Sequence, residues 1–289
     1  MSKDYQHHDY NPFLVTQEWL KHHIERPDIS IIDGSWFLPA AHRDAREEYA
    51  NTHIIGAVFF DHELVSDQKT NLPHTLPKPE DFARYVSAMG VTQKDTIIIY
   101  ETNGFFSAPR VWWMMRIMGA KKVFILDGGL KGWKDAGLPV TNQITKVAPA
   151  SFLTDFQRDK VVFYEEMIKI VSNTNIQIID ARSSQRFFGH EVEPRQGLRL
   201  GHMPNAYNVP YALLSENGLL KSKKELKTIF ENADIDISKP IVTTCGSGIT
   251  AAVLILALES LGNDNVRLYD GSWSEWGTKK DSPVAVGHK

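Results

Sequence analysis

One cysteine in 289 residues invites the first question about chemistry. Cys245 follows four β-prone residues, Ile241-Val-Thr-Thr244, and precedes Gly246-Ser-Gly-Ile-Thr250 and the apolar run Ala251–Leu261. That pattern reads as a buried strand, a short loop and a helix with no polar residue between Ala251 and Leu258. A loop at a helix N-terminus aims backbone N–H groups and the positive end of the helix dipole at its contents. A thiol held there is expected to ionise more readily and to act as a nucleophile. The bland alternative is a small buried hydrophobe, which describes most lone cysteines at strand ends. Gly246 and Gly248 tilt the balance, because they free amides to approach the sulfur and a packing cysteine needs no such loop.

The elements that must position this loop are duplicated. Ile29–Asp33 (Ile-Ser-Ile-Ile-Asp) reads as a short strand ending in a carboxylate, and Ile176–Asp180 (Ile-Gln-Ile-Ile-Asp) reads the same way. His53–Asp61 pairs with His202–Pro210, Thr96–Tyr100 with Pro240–Thr244, and Val123–Gly129 with Val266–Ser272. The offsets are 147, 149, 144 and 143 positions (29 to 176, 53 to 202, 96 to 240, 123 to 266). Order is kept and only loops differ, so two whole domains in tandem are expected, each an α/β unit with a mainly parallel sheet. The expected bounds are 1–140 for the first domain, 141–155 for a linker containing Pro149, and 156–289 for the second. Lys78–Met89 and Lys223–Asn232 read as amphipathic helices. Asp67–Pro79, with three prolines, reads as a long loop of the kind that often carries function. The alignment sets Glu101 opposite Cys245, so only the second domain carries a nucleophile. A pocket between domains, walled partly by the first, is the natural place for it.

Composition narrows the classes. The net charge of −3 and the lack of a Lys/Arg stripe argue against nucleic-acid binding. No apolar stretch approaches a bilayer span, and the N-terminus lacks a signal-peptide core, so a cytoplasmic protein off the membrane is expected. A single cysteine permits no intrachain disulfide. His7 and His8 read as a solvated tail, and the cysteine and scattered histidines show no metal-ligand spacing. No metal and no cofactor are expected. His53 and His202, each in a turn before a strand, read as structural, and the seven tryptophans as filling for the core and the domain interface.

The duplicated halves, Asp180-Ala-Arg182, the histidine turns and the Cys-Gly-Ser-Gly-Ile-Thr loop resemble the tandem rhodanese-like sulfurtransferases. So do Asp33-Gly-Ser-Trp36, Phe106-Ser-Ala-Pro-Arg-Val-Trp-Trp113 and Asp127-Gly-Gly-Leu-Lys-Gly-Trp133. Within that family the loop is similar to that of the 3-mercaptopyruvate sulfurtransferases. The resemblance spans nearly the whole chain. It implies that the Cys245 thiolate takes sulfur from 3-mercaptopyruvate, releases pyruvate and passes the sulfur from a persulfide to a thiol, thioredoxin or cyanide. Amides from Gly246 through Ser247, Gly248 and Ile249 to Thr250 would cradle that persulfide. Arg186 and Arg195 would hold the donor's carboxylate and keto oxygen, a task that suits the arginine fork. Arg182, of the Asp-x-Arg, would brace the loop. Ser247, His74 and Glu63 would handle protons, with Asp61 and His62 as competing partners for His74.

Three rivals remain in view. A Cys-x5-Arg phosphatase needs an arginine where Ala251 stands and is rejected. A thiosulfate sulfurtransferase is disfavoured by a neutral loop that offers a dianion no cation. A non-catalytic rhodanese-like module that binds partners would be expected to lack the cysteine.

Overall fold

A computed structural model describes residues 11–102 and 104–287; the expected tail histidines lie outside them. Two five-stranded sheets form the framework, and every pairing within each is parallel. In space the first runs Leu14–Val15, Lys122–Leu126, Thr96–Tyr100, Ile29–Asp33, Ala57–Phe59. The second runs Val161–Val162, Val266–Tyr269, Ile241–Thr244, Gln177–Asp180, Ala206–Asn208. The two orders match strand for strand, so the repeat read from the sequence is a repeat of topology. Parallel neighbours demand crossovers, and helices supply them on both sheet faces.

The helix Ala251–Ser260 explains its own composition. Its apolar residues are all buried, because it packs on its own sheet on one side and on helix Ala108–Ile117 of the first half on the other. A helix apolar all round belongs in such an interior. One hydrophobic core therefore runs through both halves, joining Val111, Trp112 and Met115 to Leu254, Ile255 and Leu258. Each large aliphatic side chain buried there stabilises the fold by about 1.5–3 kcal/mol, and truncation of Leu254 to alanine costs roughly 2–5 kcal/mol. At the end of this helix pair, Arg116 forms an ion pair with Glu259.

The stretch 142–157 holds no helix or strand, but it is laid back along the first half. Phe152 is buried, the amides of Ala150 and Phe152 bond Ser87, and those of Asp155 and Gln157 bond Met118 and Ile117. Trp112, Trp133, Trp273 and Trp276 are fully buried in the cores.

Each half also reaches into the other. The irregular loop after Ala57–Phe59 carries His74 onto the Cys245 loop. The corresponding segment after Ala206–Asn208 forms the hairpin Ser215–Glu216 with Leu219–Leu220, whose tip covers the Glu101 loop. Gly104 (φ +103°) shows how close that cover comes, since a β-carbon there would lie 2.7 Å from the Gly218 Cα. Leu76 N bonds Asp270 on one side and Leu220 N bonds Asp127 on the other, so the exchange is pseudo-symmetric.

Candidate active site

Cys245 ends strand Ile241–Thr244, beside the end of Gln177–Asp180. From these two strands the chain departs in opposite directions across the sheet, and ligands of open α/β sheets bind at such a switch point. The thiol is 1% exposed. Its backbone is pinned to the C-terminal segment, with N donating to Ser272 Oγ at 3.3 Å and O accepting from Trp273 N at 2.9 Å. Gly248 N donates to Sγ at 3.1 Å. A side chain at Gly248 would be strained by its φ of +83° and crowded, since a β-carbon would lie 3.1 Å from Asp270 O and 3.2 Å from Arg110 Nη1. Among the described residues Gly248 is the one loop amide that bonds the free sulfur, whereas the cradle expected of Gly246–Thr250 concerns the longer persulfide. The physical reason is reach, because a cysteine side chain stops at the base of the loop.

The first half shows what a longer side chain does in the same place. Glu101 is buried, and its carboxylate accepts from the amides of Phe106 (2.8 Å), Ser107 (2.6 Å) and Ala108 (2.6 Å), with Ser107 Oγ at 3.2 Å. Burial pushes this carboxyl up to about 7, against the pull of those donors. The strand-loop-helix of this fold thus forms an anion cradle, and in the first half the chain fills it with its own carboxylate.

Three groups, Glu63, His74 and Ser247, meet at the Cys245 loop. His74 Nδ1 lies 3.0 Å from Ser247 Oγ, and His74 Nε2 lies 3.0 Å from Glu63 Oε1. Both competitors for His74 are engaged elsewhere. Asp61 pairs with Arg46 and accepts from the amides of Glu63 and Leu64. His62 bonds Gly34 O, and burial holds its pKa near 3. The hydrogen bond from His74 draws Glu63 down to about 2. Burial lowers His74 itself below the usual imidazole range, while Glu63 opposes the shift. A neutral His74 beside an ionised Glu63 follows. Its Nε2–H donates to Glu63, which leaves Nδ1 to accept the Ser247 hydroxyl proton.

The arginines divide by role. Arg182 is fully buried, bonds both oxygens of Asp180, and donates to Glu193 Oε1 at 2.7 Å and to Gly201 O at 2.8 Å. It is a brace. Arg186 pairs with the other oxygen of Glu193 and leans on the cysteine loop, 3.0 Å from where a Gly246 β-carbon would sit. Half-buried Arg195 makes no hydrogen bond or ion pair among the described residues. Burial lowers its pKa, Cys245 and Glu63 raise it, and Arg186 lowers it. An unpaired guanidinium within the field of the cysteine is an anion-binding group.

His53 and His202 stay out of this site. His53 bonds the carbonyls of Tyr49 and Gln143, and His202 bonds that of Phe187 and stacks on its ring.

Four residues of the site went unassigned in the sequence. Trp36 donates to Glu63 Oε1 at 3.1 Å and sets its ring edgewise to His74. Glu193 bridges Arg182 and Arg186. Arg110 and Asp270 form a buried pair across the two halves. The available signal was an arginine inside the otherwise apolar run Ala108–Met115. Among the described residues no cluster of ligating side chains suits a metal ion, and no helix is long and apolar enough to cross a membrane.

Comparisons with known proteins match both halves of the chain and nearly its whole length. The family profile of the rhodanese-like domain matches twice, at residues 16–136 and 163–279. The chain is 45% identical over 273 residues to a 3-mercaptopyruvate sulfurtransferase of Escherichia coli strain K12, covering 94% of this chain and 97% of that one. It is 39% identical over 270 residues to the human 3-mercaptopyruvate sulfurtransferase, covering 91% of each. The crystal structure of SseA from Escherichia coli, described as a 3-mercaptopyruvate sulfotransferase with the rhodanese fold, superposes with a TM-score of 0.84 at 43% identity, over 90% of this chain and 98% of that one. The chain belongs to the rhodanese-like family, as a tandem of two rhodanese-like domains.

Proposed function

We propose that the protein is a sulfurtransferase that takes sulfur from 3-mercaptopyruvate and carries it as a persulfide on Cys245. The observation that carries this reading is the meeting of a buried cysteine, a Ser247–His74–Glu63 relay and an unpaired Arg195 at one point. In the first step the Cys245 thiolate attacks the donor's sulfur and the C–S bond breaks. The bonding pair leaves on the enolate of pyruvate. The donor's thiol proton passes to the relay and returns to C3, which completes pyruvate. Ser247 and His74 suit that return trip, because neutral imidazole accepts a proton and its cation gives it back. Arg195 and Arg186 hold the donor's carboxylate and keto oxygen through charge-assisted hydrogen bonds.

The persulfide is about 2.05 Å longer than the thiol. Its outer sulfur extends toward the height at which Glu101 places its oxygens in the first half, where loop amides receive an anion. Gly246 to Thr250 serve in that second state, as a cradle for the lengthened side chain. A thiolate acceptor, free or on a thioredoxin, or cyanide in an assay, then attacks the outer sulfur and returns Cys245 as thiolate.

Charge favours a monoanionic donor. Arg182, Arg186 and Arg195 stand against Asp180, Glu193 and the ionised Glu63, so these groups leave no surplus positive charge, and the loop adds none. Thiosulfate, a dianion, finds less compensation. The test is kcat/KM for 3-mercaptopyruvate and thiosulfate with one thiol acceptor. The reading requires mercaptopyruvate to be preferred, and a preference for thiosulfate would replace it with the alternative donor.

A further inference from the structure

We propose that the buried Arg110–Asp270 pair is a positioning device that holds His74 against Ser247 across the domain boundary. This rests on the relay described above. Arg110 is fully buried on the helix Ala108–Ile117 of the first half, and Asp270 is buried in the second. The Arg110 Nη2 donates to Asp270 Oδ1 at 2.8 Å and to the His74 carbonyl at 2.7 Å, and Nη1 reaches Gly248 O at 3.4 Å. The second oxygen of Asp270 accepts from Leu76 N at 2.7 Å. One ion pair therefore grips the backbone of His74-Thr75-Leu76 at both ends and touches the loop residue next to Ser247.

The grip has something to hold. His74 has φ +59°, in the left-handed region that residues with a β-carbon seldom adopt and that persists only where the surroundings over-determine it. Cohesion between the domains is a weaker explanation for the pair. Desolvation offsets most of the attraction in a buried ion pair, and apolar side chains of similar size would join the halves as well. Apolar side chains would leave the His74 carbonyl and the Leu76 amide unheld. The pseudo-symmetric side makes the same point. There Asp127 accepts from Leu220 N and has no arginine partner among the described residues, and no histidine waits on the segment it holds.

The experiment measures steady-state kinetics with 3-mercaptopyruvate for Arg110→Lys and Asp270→Asn, alone and combined with His74→Ala, with thermal unfolding run on each. Lysine keeps the charge and loses the fork; asparagine keeps an acceptor for Leu76 N and loses the charge. Each single variant should lose kcat by tenfold or more with KM within twofold. In the His74→Ala background neither should lower kcat further, because the pair acts only through that histidine. Normal kcat in the folded variants would overturn the proposal, as would losses that multiply with that of His74→Ala. Failure of both variants to fold would also overturn it, by making the pair a prop of the whole fold. A His74→Ala enzyme as fast as the parent would overturn the relay itself, and the positioning role with it.

Discussion

Replacing Glu63 with glutamine tests the relay through its electrostatics. Burial depresses the His74 pKa and Glu63 raises it from 3.0 Å away. The rate needs neutral His74, so activity falls on the acid side as pH drops through the His74 pKa, below the ordinary imidazole value near 6.5. Removing the carboxylate charge deletes a group that favours imidazolium, so the His74 pKa falls further. The acid limb must therefore move to lower pH. The Glu63 side chain is 66% exposed, so the interaction is discounted to a water-like dielectric. At 3.0 Å that leaves about 1.4 kcal/mol favouring the imidazolium. Glutamine can also offer His74 either its oxygen or its NH2, which loosens the tautomer, and kcat should fall by about tenfold, a fraction of the roughly 10²–10⁴ that general acid–base catalysis supplies. The assay is the pH profile of kcat/KM for pyruvate release from mercaptopyruvate, with and without the substitution. An acid limb that stays put, or moves to higher pH, would refute this account of how Glu63 acts.

The arginines and the first-half cradle make separate predictions. Arg195→Ala removes the unpaired cation and should raise KM for mercaptopyruvate by tens of fold, since a hydrogen bond to a charged group contributes about 1.5–3 kcal/mol; equal effects on thiosulfate would refute carboxylate recognition. Arg186→Ala should raise it less, because Glu193 already neutralises that guanidinium. Glu101→Ala strands three amides, while the Ser107 hydroxyl keeps Gly34 O at 2.7 Å, and should cost about 3 kcal/mol or more. In a chain of this size that lowers Tm by roughly 6–12 °C and leaves Cys245 armed; an unchanged Tm would show that the carboxylate does not hold the loop.

The repeat was legible because parallel strands buried on both faces are continuous apolar runs, so Ile-Ser-Ile-Ile-Asp and Ile-Gln-Ile-Ile-Asp announce themselves. Cys245 was legible from its loop, and the empty apolar helix after it found its reason in the joint core of the two halves. His74, Glu63, Arg186 and Arg195 were reached only through resemblance, for nothing in the spacing of 63, 74 and 247 foretells that they meet. The same limit hid Arg110 and Asp270, which lie on opposite halves and carry no periodic signal. It also hid the bond from Trp36 to Glu63, because an indole N–H in a turn reads as packing. The sequence shows that amides are available but not how far the sulfur extends, and the bare thiol engages only Gly248.

The most direct test of the central claim is a single turnover without acceptor, read by mass spectrometry of the peptide containing Cys245. One equivalent of 3-mercaptopyruvate should release one equivalent of pyruvate and add the mass of one sulfur atom to Cys245, and Cys245→Ser should do neither. Pyruvate released with no sulfur on that peptide, or released by the serine variant, would contradict the account.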